Sequence, residues 1–164
     1  MRIEDYARLG DTQTGALLGR DGSIDWLCQP RFDSGACFAA LLGEASHGRW
    51  LLSPTGQTST PRRRYRPGTL ILETEFETEG GVVRLIDFMP PRDERPDLIR
   101  IVEGVRGQAR VRMELIIRFD YWSIVLWFRN LNTAFNLSHD VEPAEHRKGG
   151  ESPGAPAGVG RSEA

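Results

Sequence analysis

The sequence predicts a mainly β fold, an antiparallel β-sandwich, and three observations carry that reading. Apolar and polar residues alternate with period two through much of 64–119. Gly, Pro and Asp punctuate a series of short apolar runs. No stretch carries a long amphipathic helical period, so the strands must bury their faces against one another in two layers.

The elements follow in order. TGALLG (14–19) and SIDWLC (23–28) are short apolar runs, and Asp21-Gly22 between them is a strong hairpin signal because Gly reaches positive φ without steric cost. ACFAALLG (36–43) has the Ala and Leu content and closing Gly of one or two helical turns, which predicts a short helix near 36–42. RWLLSP (49–54) reads as a strand ended by a Pro and Gly loop. In TLILETEFET (69–78), Leu70, Leu72, Thr74 and Phe76 share one face, and Ile71, Glu73, Glu75 and Glu77 the other. EGG turns the chain, VVRLIDFMP (82–90) returns it, and Pro90-Pro91 ends the pairing. LIRIVEGV (98–105) and VRMELIIRF (111–119) are expected to form a second hairpin around RGQA (106–109). Val111, Met113, Leu115, Ile117 and Phe119 lie on one face of that last strand, with Arg112, Glu114, Ile116 and Arg118 on the other. Beyond about residue 130 the apolar period stops, and from Gly149 the chain is mostly Gly, Pro, Ser and Ala with a few charges. Such a segment buries too little surface to offset its ordering entropy. The expected organisation is a sandwich over 1–128 and a divergent, largely disordered tail over 129–164.

Bulk properties exclude several function classes. The length of 164 residues suits one domain. A net charge of −2 argues against a nucleic-acid partner or an anionic membrane. No apolar run reaches the length of a membrane span. The N-terminus is charged from its second residue and has no secretory h-region, so a cytoplasmic setting is expected. Cys28 and Cys37 then read as reduced core residues. Two Cys and three scattered His have no metal-ligand spacing, and neither metal nor cofactor is expected.

Candidate site residues concentrate in GRDGSIDWLCQPRFDS (19–34). Asp25 and Asp33 around a turn could supply the acid and base that glycoside hydrolysis needs. Asp is equally a turn and cap residue, and Asp33 or Ser34 is placed to cap a following helix. Arg31 beside Phe32 suits sugar or carboxylate binding, since a guanidinium forks and stacks, or it pins the loop to an Asp. Trp26, with Trp50, Trp122 and Trp127, is either a sugar-stacking platform or core. RRRYR (62–66) has the look of a phosphate or single-strand binder, but the row Glu73, Glu75, Glu77 nearby favours a solvated strand with cross-strand ion pairs. No Ser-His-Asp pattern, phosphate loop or nucleophile elbow is present, and no βαβ unit frames a dinucleotide fingerprint.

The run IEDYARLGDTQTGALLGRDGSIDWLCQPRFDSGACFAALLG, followed by HGRWLLSP, RRRYRPGTLILETEF, GVVRLIDFMPPR, LIRIVEGVRG and RMELIIRFDY, resembles the start of bacterial glycoside hydrolase family 15 proteins, the glucoamylase-like and trehalase-like enzymes. The resemblance covers roughly residues 1–127. It implies a large antiparallel β-sandwich, a linker, and then an (α/α)6 barrel whose two glutamates hydrolyse α-glucosidic bonds with inversion, one carboxylic acid protonating the leaving oxygen and one carboxylate activating water. The family pattern is left near the end, where Trp122 and Leu126 replace an expected glycine and proline, and the chain is expected to stop before the barrel as a frameshifted or truncated gene. The expected function is therefore a non-catalytic N-terminal domain, inactive alone, that packs on and supports the absent catalytic barrel. No catalytic residue is assigned. Arg31, Phe32, Asp33, Asp25 and Trp26 are the candidate substrate-binding residues, with an α-glucoside as ligand. The rival readings are a free-standing carbohydrate-binding or interaction module and a gene fragment without function. Missing strands would leave sheet edges open to self-association.

Overall fold

The computed structural model describes residues 1–119 together with the backbone of two further strand segments, 124–125 and 135–137. The strands are β1 (Ala7–Gly10), β2 (Gly15–Leu18), β3 (Ser23–Cys28), β4 (Ala36–Phe38), β5 (Arg49–Pro54), β6 (Arg62–Tyr65), β7 (Leu72–Glu77), β8 (Gly81–Phe88), β9 (Ile99–Gly107), β10 (Ala109–Ile116), β11 (Arg118–Phe119), β12 (Ile124–Val125) and β13 (Phe135–Leu137). A seven-stranded antiparallel sheet runs β1-β2-β3-β5-β10-β13, with β4 also paired to β3. A four-stranded sheet runs β6-β7-β8-β9, and β11 pairs with β12. The expected mainly β, antiparallel two-layer fold is what forms. The tail expected over 129–164 lies outside the described residues apart from the backbone of β13, which pairs with β10.

Two expectations are corrected. The segment 36–43 holds no regular helix: β4 takes its first residues, and only one 3₁₀ turn, Ala40–Leu42, follows. Burial against β3 overrides the helical propensity of Ala and Leu, because Cys28, Ala36 and Ala39 form a small core of their own under Trp26. The second hairpin does not form either. β9 stays on β8, whereas β10 crosses to the other sheet and pairs with β5 from Val111↔Pro54 to Ile116↔Arg49. The corner is Gly107, at φ +65°, where a Cβ would lie 2.3 Å from the carbonyl oxygen of Gly80. Val111 on β10 and Val83 and Leu85 on β8 then meet face to face in one core with Leu52 and Phe76. The same alternation serves two strands that pair and two that face each other across a sandwich, so periodicity alone does not separate them.

The remaining elements follow the sequence pattern. Asp21-Gly22 turns β2 into β3, with Gly22 at φ +84°. β7 and β8 pair from Leu72↔Asp87 to Glu77↔Val82. RRRYR is a strand whose arginines meet the acidic row: Arg62 is opposite Glu75, which is opposite Arg84, which is opposite Glu103. Arg84 binds Glu75 at 2.6 Å and Glu103 at 2.9 Å, while Arg64 and Arg66 both reach Glu73 at 2.8 Å. Those two arginines hold the Glu73 carboxyl below its ordinary range.

Polar ties join the layers. Tyr65 Oη bonds the backbone N–H and C=O of Arg8, and Arg63 donates to the carbonyls of Leu18 and Asp5. The deepest tie is Arg100, which sits on the inward face of β9. Its guanidinium pairs with Asp87 at 2.7 Å, donates to the carbonyls of Trp50 at 2.6 Å and Gly22 at 2.8 Å, and lies 5.3 Å from the centre of the Trp50 ring. Arg100 and Asp87 are 1% and 0% exposed, so one buried side chain stitches β8 and β9 to β5 and the β2–β3 turn. Burial pushes the Asp87 carboxyl up, and Arg100 pulls it part of the way back.

Candidate functional site

Strand β3 places the first two candidate residues. Leu17 pairs with Trp26 and Leu18 with Ile24, which leaves Asp25 as the extra residue of a β-bulge. The Asp25 carboxylate is buried and accepts the Tyr6 hydroxyl at 2.6 Å on one oxygen and the Ser23 hydroxyl at 2.5 Å on the other. Burial, then the hydrogen bond and charge of Asp25, push the Tyr6 phenol up. Burial likewise pushes the nearby Asp21 carboxyl up. Asp25 thus pins the N-terminal segment onto the sheet. Trp26 is half-buried against Cys28, Ala36 and Ala39. Both cysteines are free and buried, and burial pushes the Cys37 thiol up to about 12.

The other three candidates lie on the loop after β3. Gln29–Pro30 is a cis peptide bond, and a tight turn follows in which Ser34 N–H donates to the Arg31 carbonyl and Arg31 N–H donates to Ser34 Oγ, both at 3.1 Å. Ser34 therefore closes the turn, and no helix follows for it or Asp33 to cap. Arg31 and Asp33 pair at 3.1 Å with both side chains exposed, so the aspartate pins this loop. Asp25 and Asp33 share no partner: one is enclosed by hydroxyls, the other faces solvent on an arginine. Phe32 is 62% exposed, yet fixed. Its N–H donates to the Gln13 carbonyl at 3.1 Å, and its ring lies over Gly15, where a Cβ would be 3.2 Å from Cε1.

The loop thus docks on the β1–β2 turn, residues 11–14, which sequence reasoning missed. Asp11 is buried. Its Oδ1 accepts the N–H groups of Gln13 at 3.0 Å and Thr14 at 2.7 Å, and its Oδ2 accepts Arg92 Nε at 2.8 Å. Burial raises the Asp11 carboxyl, but the two amides and the Arg92 guanidinium outweigh it and hold it below the ordinary range. Thr14 Oγ1 donates to the Cys28 carbonyl at 2.5 Å, tying the turn to the start of the loop. Thr12, β-branched, sits at φ +80°, a conformation that persists only where the surroundings over-determine it. The Asp-Thr-Gln-Thr string was a readable Asx-turn signal. Nothing in the sequence announces that Arg92, some eighty positions on, completes it.

None of the five candidate residues lines the surface depression of about 370 Å³ bordered by Asp21, Arg49, Leu51, Ser53 and Arg112. Among the described residues, no group of three His, Cys, Asp or Glu side chains is placed to hold a metal ion, and no helix is long and apolar enough to cross a membrane. The arrangement presents one exposed aromatic, one exposed ion pair and one amide side chain on two interlocked turns. Among the described residues, Asp25 and Asp33 are not brought together as an acid–base pair.

A family model described as trehalase-like, N-terminal matches residues 1–150. The chain belongs to this family. The match runs past the roughly 127 residues over which the sequence resemblance is legible. The trehalase-like domain is 46% identical over 138 residues to a trehalase of Mycobacterium tuberculosis (strain ATCC 25618 / H37Rv), covering 73% of this chain and 20% of that protein. It is 36% identical over 138 residues to a trehalase of Mycolicibacterium smegmatis, with the same coverage, and 37% identical over 100 residues to trehalase 2 of Sulfolobus acidocaldarius, covering 61% of this chain and 16% of that protein. The domain spans about a fifth of the length of the first two of these relatives. No solved structure gives a significant match.

Proposed function

We propose that this trehalase-like domain is a non-catalytic N-terminal module of an α-glucoside hydrolase of the glycoside hydrolase 15 type, acting on trehalose or malto-oligosaccharides. The observation that carries the reading is the match to a trehalase-like N-terminal family over residues 1–150. In this reading the catalytic glutamates belong to an (α/α)6 barrel, and the sandwich packs on that barrel and supports it. The loop after β3, with Arg31, Phe32 and Asp33, borders the sugar pocket, while Asp25 and Trp26 hold the strand that carries it. Such a role suits the loop's position on a scaffold that is stitched through its core by Arg100. Free, buried Cys28 and Cys37 fit a reducing, cytoplasmic setting.

The test is a pair of measurements on one sample. The chain alone should release no glucose from trehalose, and it should co-elute on size exclusion with the M. tuberculosis trehalase shortened by the fifth of its length that this chain matches. Glucose release by the chain alone, or independent elution of the two, defeats the reading.

A further inference from the structure

We propose that Phe32 is a preset stacking platform for a glucopyranosyl ring, with Gly15 as the residue that positions it and Gln13 as a second sugar contact. The inference rests on the reading of the domain as part of an α-glucoside hydrolase for the ligand's class, and on geometry for the site. An exposed phenylalanine by itself needs no explanation. This one is held at two points: its N–H is bonded to the Gln13 carbonyl, and its ring edge fills the slot left by the missing side chain of Gly15. Gly15 is paired with Gly10 in the β1–β2 register, and the fully buried Leu9 and Ala16 point the other way. On this face the Gly10–Gly15 pair carries no side chain, and the Phe32 ring packs over it. The next pair along that face is Arg8 and Leu17, and Leu17 is in turn opposite Trp26.

The rim chemistry selects the ligand. A pyranose offers an apolar C–H face and a ring of hydroxyls at its edge. Phe32 suits the face, and an aromatic contact of this kind costs little ordering because the ring is already placed. Arg31 and Asp33 supply donors and acceptors for hydroxyls, and the 3.1 Å pairing between them leaves no net charge to attract an anion. A neutral polyhydroxylated ring is favoured over a phosphate. The Gln13 side-chain oxygen lies 3.5 Å from Arg92 Nη1, so the amide is steered by the same guanidinium that closes on Asp11. The φ of Thr12 shows that this turn is held where it would not settle alone.

The experiment is an NMR titration of the full chain with trehalose, following backbone amides and the Phe32 ring, with glycerol as a control that cannot stack. The expected result is trehalose-specific shifts at Gln13, Arg31, Phe32 and Asp33. F32L should weaken binding roughly threefold to tenfold, the range of one aromatic contact, while F32Y retains it. G15A should weaken binding with the aromatic still present, since its Cβ would press on Phe32 Cε1 at 3.2 Å and on the Leu9 carbonyl at 3.0 Å. Because Phe32 is largely exposed, the amide spectrum of F32L should match wild type elsewhere and so exclude unfolding. Absent shifts, shifts confined to other residues, or F32L binding as wild type overturns the proposal. If F32L binds trehalose as wild type but no longer co-elutes with the shortened M. tuberculosis trehalase, the loop is a protein contact and the sugar platform is excluded. Co-elution of the unmodified chain without any trehalose shift removes the platform and leaves the domain assignment standing.

Discussion

Replacing Arg100 with methionine should be among the most damaging single changes in this domain, and its cost can be worked from the core. Methionine approximates the length of the arginine stem, so the cavity term is small. The guanidinium that disappears is 1% exposed and is the hydrogen-bond partner of an Asp87 carboxylate that is 0% exposed. Stripping one partner from a buried pair costs about 3–5 kcal/mol because the other charge remains. The carbonyls of Trp50 and Gly22 lose their charged donor as well, at about 1 kcal/mol each or more. The sum approaches the whole stability of a typical domain, about 5–15 kcal/mol. Asp87 limits the loss by taking up a proton, so the deficit of R100M should shrink on acidification, by up to about 1.4 kcal/mol per pH unit. The partner variant D87L/R100M removes both charges and should recover most of what R100M loses. Urea unfolding followed by tryptophan fluorescence reads all three, since Trp50 lies under the guanidinium. A cost for R100M below about 1 kcal/mol, or a deficit independent of pH, would refute the view that this pair is a dry tie between the sheets.

Other substitutions probe the turns that shape the site. G22A should cost about 3 kcal/mol or more in the same urea experiment, since its Cβ would meet the Leu52 carbonyl oxygen at 2.1 Å and neither backbone can yield. T12G should raise stability by about 1 kcal/mol by relieving a φ of +80°, a gain set by the cost of the left-handed region less the extra freedom of an unfolded glycine. A fall in the melting temperature of T12G would show that the Thr12 side chain contributes contacts worth more than the strain. The pH dependence has a definite sign. Asp11 and Glu73 have depressed folded values, so their stabilisation is complete above the unfolded carboxylate range, about pH 4, and is lost as pH falls through the folded values. Asp87 acts oppositely, because a raised folded value costs stability as pH rises through it. Circular dichroism in acid should show D11N and E73Q losing less stability than wild type on going below about pH 4; equal losses would mean that these carboxyls are not the acid-labile ties.

Much of the fold was legible in the sequence because one-face burial writes itself as alternation. Leu72, Thr74 and Phe76 against Val83 and Leu85 are readable from spacing alone. Asp21-Gly22 is readable because the turn demands positive φ at Gly22. The strand-to-strand wiring was less legible: β9 and β10 look like a hairpin until the crowding of Gly80, Gly81 and Gly107 forces a corner. Arg100 was invisible as a core residue, since an arginine within LIRIVEGV is ordinary on a wet face and only Asp87, on another strand, turns it inward. For the candidate site, the sequence singled out the loop after β3 but grouped Asp25 with Asp33 by proximity in number. The bulge at Asp25 and the turn at 31–34 send them to different surroundings. The docking of that loop on residues 11–14 depends on long-range contacts by Phe32 and Arg92, which no local pattern encodes.

We propose that this domain supports a catalytic activity that it does not itself perform. That proposal is tested by steady-state trehalose hydrolysis by the M. tuberculosis trehalase, shortened by the fifth of its length that this chain matches and assayed with and without this chain. Negligible turnover by the chain alone is expected, with a rise in kcat/KM of the shortened trehalase that saturates as the chain is added. Hydrolysis by the chain alone, or a shortened trehalase whose kcat/KM is the same at every concentration of added chain, overturns the proposal.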